Sequence, residues 1–373
     1  MSVQENVTAR YAKGAQQVEA ELCCPVDYDK ALLKLLPQEI IEKDYGCGDP
    51  SRYVKQGDVV LDLGSGGGKI CYMAAQLVGE QGRVIGVDMT QDMLALARKY
   101  QTEMADKIGG HRVEFYRGHI QDLALDLEAV DNYLKDHPVT DVDSMTALET
   151  WKHQQRINRP MIEDNSVDLV ISNCVLNLVA EDQKAQLLKE IFRVLKPGGR
   201  VAISDIVSDD AIPDHLKQDP ELWSGCISGA FHEKRFLEAF LEAGFVAVGY
   251  DKWEDQPWRV VEGIEFRSVT LIAVKPAGNE CIDRGHAAIY KGPYASVTDD
   301  EGHVFPRGER MAVCERTYEF LTDGPYEDDF IGIQPAQLKE PVVYCAPMGT
   351  RRPASETKGG SYTNSAPSGG SCC

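Results

Sequence analysis

The chain has 373 residues, of which 43% are hydrophobic and 26% charged, as expected for a globular protein with one large core and a smaller second domain. Its formal net charge of −20 argues against nucleic-acid binding, because proteins that hold the phosphate backbone need a basic surface. Since the chain shows neither a signal-peptide pattern nor a run of roughly 18 apolar residues, we expect a cytoplasmic protein that does not bind membranes.

Strand and helix patterns alternate over most of the first 208 residues. Residues 1 to about 45 predict short helices broken at Pro25 and Pro37. The strands predicted after them are VVLDLG, RVIGVDM, VEFYRG, 167–173 and 200–206, and the helices are one from Lys69, one over 91–108 and one around AQLLKEIFRVL. This alternation predicts an α/β fold with a doubly wound, mostly parallel sheet.

The rest of the chain departs from this alternation. The acidic stretch 123–163 has no strand pattern and predicts an insertion that is partly helical around 128–157. We therefore predict residues 1–208 as N-terminal helices plus a cofactor-binding domain, 209–276 as a region that begins helical and completes the sheet, 277–346 as a small α+β domain, and 347–373 as a flexible Gly- and Ser-rich tail that ends in Cys372–Cys373.

A glycine-rich turn follows the first strand of the predicted sheet. In LDLGSGGGKICY, Gly64, Gly66 and Gly68 allow a tight turn and close approach of a ligand, either a dinucleotide or another nucleoside cofactor. Asp88, at the end of the second strand, lies where a carboxylate can accept protons from ribose hydroxyls, although an acid at a strand end can also be merely solvated.

Three features favour S-adenosylmethionine over a dinucleotide. The turn G-S-G-G-G is shorter than the dinucleotide pattern G-x-G-x-x-G. FRVLKPGGRVAISD resembles the segment before strand five of class I methyltransferases. GHIQDL resembles the segment whose acid or amide lies near the adenine amine, which makes Ile120, Gln121 and Asp122 candidates.

Eleven cysteines form no evident disulfide framework, since their number is odd and cytosolic thiols stay reduced. Four of them stand in turns or at predicted strand and helix ends: Cys47, Cys71, Cys174 and Cys226. Each could be a buried small hydrophobe, and a zinc site is the other alternative. These four contain no C-x-x-C pair, which structural zinc sites usually supply.

The motifs YGCGDP, DLGSGGGKICY, VIGVDMT, SNCVLNL and GCISGA, in this order, resemble the arsenite S-adenosylmethionine methyltransferases. The resemblance implies that Cys71, Cys174 and Cys226 bind arsenic(III) and that Cys47 forms a disulfide during the cycle, with Cys71 as its candidate partner. It also implies a set of cofactor-binding residues: Tyr45, Asp62, Gly64, Ser65, Gly66, Asp88, Met89, Thr90, Ile120, Gln121, Asn173 and Val175. The insertion 123–163 and the tail depart from the family pattern.

The chemistry implied is methyl transfer from S-adenosylmethionine to thiolate-bound arsenic, because soft thiolates suit this thiophilic ion. Arsenite or its thiol conjugates would be the substrate, an external reductant of thioredoxin or glutathione type would restore the thiols, and the protein would act as a monomer. Two alternatives stay open: a methyltransferase of a quinone or another small organic acceptor, and a thiol-based protein that binds arsenic or zinc.

Overall fold

The computed structural model describes residues 3–17, 26–43, 45–278, 280–322, 326–343 and 349–358. The chain divides into two compact units, Met1–Pro276 and Ala277–Cys373. Pro25, the pair Cys23–Cys24 and most of the predicted tail, with Cys372–Cys373, lie outside the described residues. Within the described part of the chain, no helix has the length and apolar character needed to cross a bilayer.

The first unit alternates helices and strands. Its helices are α1 (Val3–Gln16), α2 (Lys30–Leu33), α3 (Gln38–Lys43), α4 (Lys69–Leu77), α5 (Gln91–Lys99), α6 (Gln101–Ile108), α7 (Leu127–Asp136), α8 (Val142–Asn158), α9 (Lys184–Val194), α10 (Asp214–Lys217), α11 (Pro220–Ser224) and α12 (Glu233–Glu242). Its strands are β1 (Val59–Leu63), β2 (Arg83–Asp88), β3 (Val113–Arg117), β4 (Val167–Asn173), β5 (Leu195–Ser208), β6 (Phe231–His232), β7 (Val246–Trp253), β8 (Arg259–Val261) and β9 (Ile264–Val274).

These strands form one sheet, in which seven follow the order β3-β2-β1-β4-β5-β9-β7, while β6 pairs with β5 and β8 with β9. Strands β1 to β5 are parallel, and β9 is antiparallel to β5 and β7. The central strands are apolar on both faces because helices cover both sides, as in β4, where six of seven residues are buried. Two apolar clusters fill the two sides of the sheet, one around Leu188 and Phe240 and the other around Met73 and Leu94. The predicted α/β fold with a doubly wound, mostly parallel sheet is confirmed.

Three local features differ from the sequence expectations. The helical stretch 91–108 is broken at Tyr100 into α5 and α6. The strand predicted at 200–206 begins earlier, at Leu195, with an irregular register against β4 that accommodates the Pro-Gly-Gly segment. Residues 209–250 contain the short β6 as well as helices.

The acidic insertion contains two helices, α7 and α8, with no buried residue in either. Charged pairs connect it to the sheet edge and the segment after β3, including Arg156 with Asp122 at 2.8 Å. Neither helix therefore contributes a buried side chain to the core of the unit.

The second unit is a small α+β domain. Its elements are β10 (Ile282–Asp283), β11 (Ala287–Tyr290), β12 (Ser296–Thr298), β13 (Val304–Pro306), β14 (Arg310–Ala312), α13 (Glu315–Thr322), β15 (Phe330–Ile333), β16 (Val342–Val343) and α14 (Ala354–Lys358). The central sheet has the order β14-β11-β15. Tyr290, Phe305 and Met311 belong to its own apolar core.

Candidate active site

A cavity of about 370 Å³ lies at the carboxyl ends of β1, β2 and β4, where doubly wound sheets bind ligands. Its wall combines α1, the turn after β1, the end of β2, the segment after β4 and the loop after α11. The cavity therefore brings together the two sequence features that carried the prediction, namely the glycine-rich turn and the cysteines.

The glycine-rich turn is held against β2. The backbone N–H groups of Gly64 and Ser65 donate to the carbonyl of Val87 at 2.8 and 3.0 Å. Gly64 has a φ of 68°, and a Cβ there would lie 2.5 Å from a methyl carbon of Val175. Glycine is thus required at this position for two reasons: the backbone is left-handed, and the segment after β4 approaches too closely for a Cβ.

Asp88 is fixed at the end of β2 with its carboxylate at the cavity. Its two oxygens accept hydrogen bonds from the backbone N–H groups of Gly66 at 2.9 Å and Thr90 at 2.7 Å. Burial raises the pKa of Asp88, and the hydrogen bonds from Thr90 and Gly66 oppose that shift. The carboxylate is therefore oriented before a ligand arrives.

Most of the predicted cofactor positions line this cavity: Tyr45, Gly64, Gly66, Asp88, Met89, Thr90, Ile120, Gln121, Asn173 and Val175. Asp62 and Ser65 do not. Asp62 is buried and accepts a hydrogen bond from the thiol of Cys71 at 3.2 Å. Ser65 is buried, and among the described residues its hydroxyl has no hydrogen-bond partner. Asp122, a further candidate, pairs with Arg156 instead.

Cys47 lies in a turn that Asn173 holds in place. The side-chain oxygen of Asn173 accepts from the N–H groups of Cys47 and Gly48 at 2.8 and 3.0 Å, and its amide nitrogen donates to the Gly48 carbonyl. A Cβ on Gly46 would lie 2.2 Å from that amide nitrogen, so the Gly-Cys-Gly pattern reflects close packing. The turn consequently places Cys47 beside Cys174.

Cys47 and Cys174 form a disulfide, with Cα atoms 5.8 Å apart. This pairing differs from the expected pair of Cys47 with Cys71. Cys174 is partly exposed and lines the cavity, whereas Cys47 is 2% exposed and is absent from the lining.

Cys174 and Cys226 share an uncommon backbone conformation. Their φ angles are 60° and 62°, in the left-handed region that non-glycine residues rarely adopt. The thiol of Cys226 donates to the carbonyl of Cys174 at 3.2 Å. Strained conformations of this kind cluster at functional sites, where the surrounding structure enforces them.

Asp205 and Asn177 connect the segments that carry these two cysteines. Asp205 is fully buried, and its carboxylate accepts from the backbone N–H groups of Leu176 at 2.9 Å and Asn177 at 3.3 Å. The amide nitrogen of Asn177 donates to Asp205 at 2.8 Å and to the Cys226 carbonyl at 3.4 Å. The segment after Cys174 is thereby tied to the loop that carries Cys226.

Cys71 is placed differently from the other three. It is fully buried in the first turns of α4, belongs to the apolar cluster on one side of the sheet, and does not line the cavity. The structure thus brings Cys47, Cys174 and Cys226 together and leaves Cys71 beside Asp62, under the glycine-rich turn.

Sequence reasoning missed several residues of this site. Val7 and Tyr11 of α1 and Trp258 line the cavity, and no motif marks them. Burial and the adjacent Cys226 raise the pKa of Tyr11 well above its usual range. Asp205 could have been identified from the sequence, because an acid inside the apolar run of a central strand requires buried hydrogen-bond partners.

Comparison with known proteins decides the family. Residues 54–150 and 151–244 match a family described as a methyltransferase domain, and residues 277–362 match a domain of unknown function. The arsenite methyltransferase of Aquipseudomonas alcaligenes is 32% identical over 87% of this chain and 88% of its own length. The chain belongs to the arsenite methyltransferases.

Two further arsenite methyltransferases extend the similarity to animals and algae. The mouse protein is 30% identical over 89% of this chain and 80% of its own length. The crystal structure of an arsenic(III) S-adenosylmethionine methyltransferase from Chlamydomonas reinhardtii covers 85% of this chain and 100% of its own, with a TM-score of 0.54 and 30% identity. The break between the two matched methyltransferase segments falls inside α8, in the insertion.

Proposed function

We propose that this arsenite methyltransferase transfers methyl groups from S-adenosylmethionine to trivalent arsenic held by cysteine thiolates, giving methylated arsenicals in arsenic detoxification. One observation carries the proposal. Cys174 and Cys226 line the same cavity as the glycine-rich turn and Asp88, so a thiolate-bound substrate and a nucleoside cofactor would face each other.

The cavity fits S-adenosylmethionine. The Asp88 carboxylate, already oriented by Gly66 and Thr90, can accept both ribose hydroxyl protons. Met89 and Ile120 offer apolar walls and Gln121 an amide for the adenine, while Gly64 lets the segment that carries Val175 approach the turn closely. When bound, the cofactor supplies an electrophilic methyl group on its sulfonium.

Cys174 and Cys226 would hold and orient the arsenic. Three thiolates around arsenic(III) leave its lone pair in the fourth direction, so attack on the methyl group needs no general base. Positioning of this kind can contribute on the order of 7–11 kcal/mol. Cys71, the third ligand implied by the sequence, would have to give up the contact of its thiol with Asp62 to join them.

Cys47 would return the electrons that methyl transfer removes from arsenic. Transfer raises arsenic formally to the pentavalent state. Attack of the Cys47 thiolate on the sulfur of Cys174 forms the S–S bond, breaks the As–S bond and leaves that electron pair on arsenic, which becomes trivalent again. The Cys47–Cys174 disulfide in the structure supports this pairing over Cys47 with Cys71.

The cycle then requires an external thiol reductant of thioredoxin or glutathione type. Since the thiols must be kept reduced between turnovers, we propose that the enzyme works in the cytoplasm. We further propose that it acts as a monomer on arsenite or its thiol conjugates.

The decisive assay combines arsenite, S-adenosylmethionine and dithiothreitol, with arsenic speciation over time. Mono- and dimethylated arsenic should accumulate with stoichiometric S-adenosylhomocysteine. Cofactor binding without arsenic turnover would instead favour an organic acceptor such as a quinone, and arsenic binding without turnover would favour a thiol-based binding protein.

A further inference from the structure

The two sulfurs of the disulfide differ in their access to solvent. Cys47 is 2% exposed, and it lies behind Asn173, whose side chain binds its N–H, and Ser268, whose hydroxyl donates to its carbonyl at 2.6 Å. Cys174 is partly exposed and forms part of the cavity wall. A thiol can therefore approach the disulfide only from the side of Cys174.

The approach to Cys174 runs through the space proposed for the cofactor. The same cavity is lined by Gly64, Asp88 and Thr90, which form the proposed cofactor subsite. Val7 and Tyr11 of α1 close another part of its wall. A reductant that reaches Cys174 therefore has to enter the cavity in which the cofactor is proposed to bind.

We propose that the reductant attacks the sulfur of Cys174, through the cofactor cavity, so that reduction of the enzyme and occupation by the cofactor or its product exclude each other. A thiolate of the reductant bonds to the Cys174 sulfur, the Cys47–Cys174 bond breaks, and Cys47 leaves as a thiolate. The second thiol of the reductant then attacks the mixed disulfide, which releases the Cys174 thiolate and the oxidised, two-electron product of the reductant.

The order of events follows from this geometry. S-adenosylhomocysteine must leave before the thiols are restored, and fresh S-adenosylmethionine must enter after. Because exchange rates depend on which sulfur is reachable as well as on thiol chemistry, bound cofactor would slow reduction without any conformational change. The inference that the reductant and the cofactor use the same cavity rests on the proposed function. The inference that the reductant attacks the sulfur of Cys174 does not.

The first test identifies the attacked sulfur. Oxidised enzyme is treated briefly with glutathione, quenched with iodoacetamide and digested with trypsin, which separates the peptides that contain Cys47 and Cys174. We expect glutathione on Cys174 and carbamidomethyl on Cys47, in at least about tenfold excess over the reverse pattern. Equal or reversed labelling, or no Cys47–Cys174 link in the oxidised enzyme, overturns the proposal.

The second test measures the rate of disulfide reduction by dithiothreitol with and without saturating S-adenosylhomocysteine, whose binding is established first by calorimetry. The rate should fall at least about tenfold, and an Asp88→Asn variant should lose this protection at the same concentration. An unchanged rate in the saturated wild type overturns the shared route. Failure of S-adenosylhomocysteine to bind contradicts the proposed function and the shared route, and leaves the glutathione result standing.

Discussion

The thiol of Cys226 donates to the backbone carbonyl of Cys174 at 3.2 Å, so two cysteines 52 residues apart are in direct contact at the cavity. Both residues also have left-handed backbone conformations and line the same cavity. The effect of replacing either of these two cysteines can therefore be compared with the effect of replacing a cysteine far from the cavity.

Cys174→Ser and Cys226→Ser should each lower methylation of arsenite by about 100-fold or more, because the hard hydroxyl replaces a soft ligand and the substrate is no longer positioned. S-adenosylmethionine affinity should change little. Cys314→Ser is the matched control, since Cys314 is buried in the second unit and contacts Thr317 at 3.1 Å, where a hydroxyl can substitute. A Cys174→Ser enzyme as active as the parent would refute the assignment.

Cys71→Ser should abolish methylation of arsenite but spare the step from monomethylated to dimethylated arsenic, because Cys174 and Cys226 alone can hold a monomethylated arsenic. Cys47→Ser should slow both steps, because no thiolate then attacks the Cys174 sulfur to return the electron pair to arsenic. The measurement is arsenic speciation with each substrate supplied separately. Loss of both steps in Cys71→Ser would show that Cys71 is needed throughout, although it does not line the cavity in this structure.

Asp88→Asn should weaken S-adenosylmethionine binding by roughly 10- to 100-fold, because hydrogen bonds to a charged group contribute about 1.5–3 kcal/mol. The readout is the Kd from calorimetry. Asp92→Asn, an exposed acid in the first turn of α5, should leave Kd unchanged. Equal effects of the two substitutions would mean that the loss reflects net charge rather than the ribose site.

Comparison of Gly64→Ala with Gly57→Ala distinguishes the stability cost of backbone strain from the cost of a clash between the added Cβ and a neighbouring side chain. Both glycines have positive φ, at 68° and 89°, so each substitution should cost about 1–2 kcal/mol of stability. Only the Cβ at Gly64 meets another side chain, 2.5 Å from Val175, whereas nothing lies within 4 Å at Gly57.

The unfolding free energy should therefore fall further in Gly64→Ala, and cofactor affinity should fall in that variant alone. The double variant Gly64→Ala with Val175→Ala should recover part of the lost unfolding free energy and part of the lost cofactor affinity. No recovery in the double variant would show that the crowding does not involve Val175.

Stability should depend on pH through Asp205. Burial raises its pKa from the ordinary 3.8 to about 7, although hydrogen bonds from Ile206, Asn177 and Leu176 oppose the shift. Between these values the folded state binds more protons than the unfolded chain, so the free energy of unfolding falls as pH rises from about 4 to 7, by at most roughly 1.4 kcal/mol per pH unit.

The free energy of unfolding, measured by urea denaturation between about pH 4 and 7, should depend less on pH in Asp205→Asn than in the wild type. Asp210→Asn, at an exposed position just beyond β5, should keep it. Parallel curves for wild type and Asp205→Asn would assign the dependence to other groups.

The sequence predicts the sheet and the cofactor end of the site because both depend on local patterns. Alternating apolar strands and helices determine the doubly wound order, and a strand that ends in glycine or aspartate places Gly64 and Asp88 at the carboxyl edge. These residues lie within a few positions of the elements that orient them.

The sulfur geometry depends on contacts that no local pattern encodes. Cys47 reaches Cys174 because Asn173 binds its turn across 126 residues of sequence. Cys71 comes soon after the glycine-rich turn in the sequence, which predicts a place at the cavity wall, yet its thiol donates to Asp62. Likewise, Tyr11 comes to the cavity through the packing of α1, which its own sequence does not reveal.

The positive φ angles of Cys174 and Cys226 have a consequence for evolution and engineering. Glycine would relieve conformational strain at either position, but at Cys174 it would also remove the disulfide with Cys47, so a search for heat-resistant variants that ignored arsenic would favour glycine only at Cys226. Cysteine at position 226 lowers conformational stability but is the residue that can hold arsenic, so selection for heat resistance and selection for arsenic resistance would act in opposite directions at this one residue.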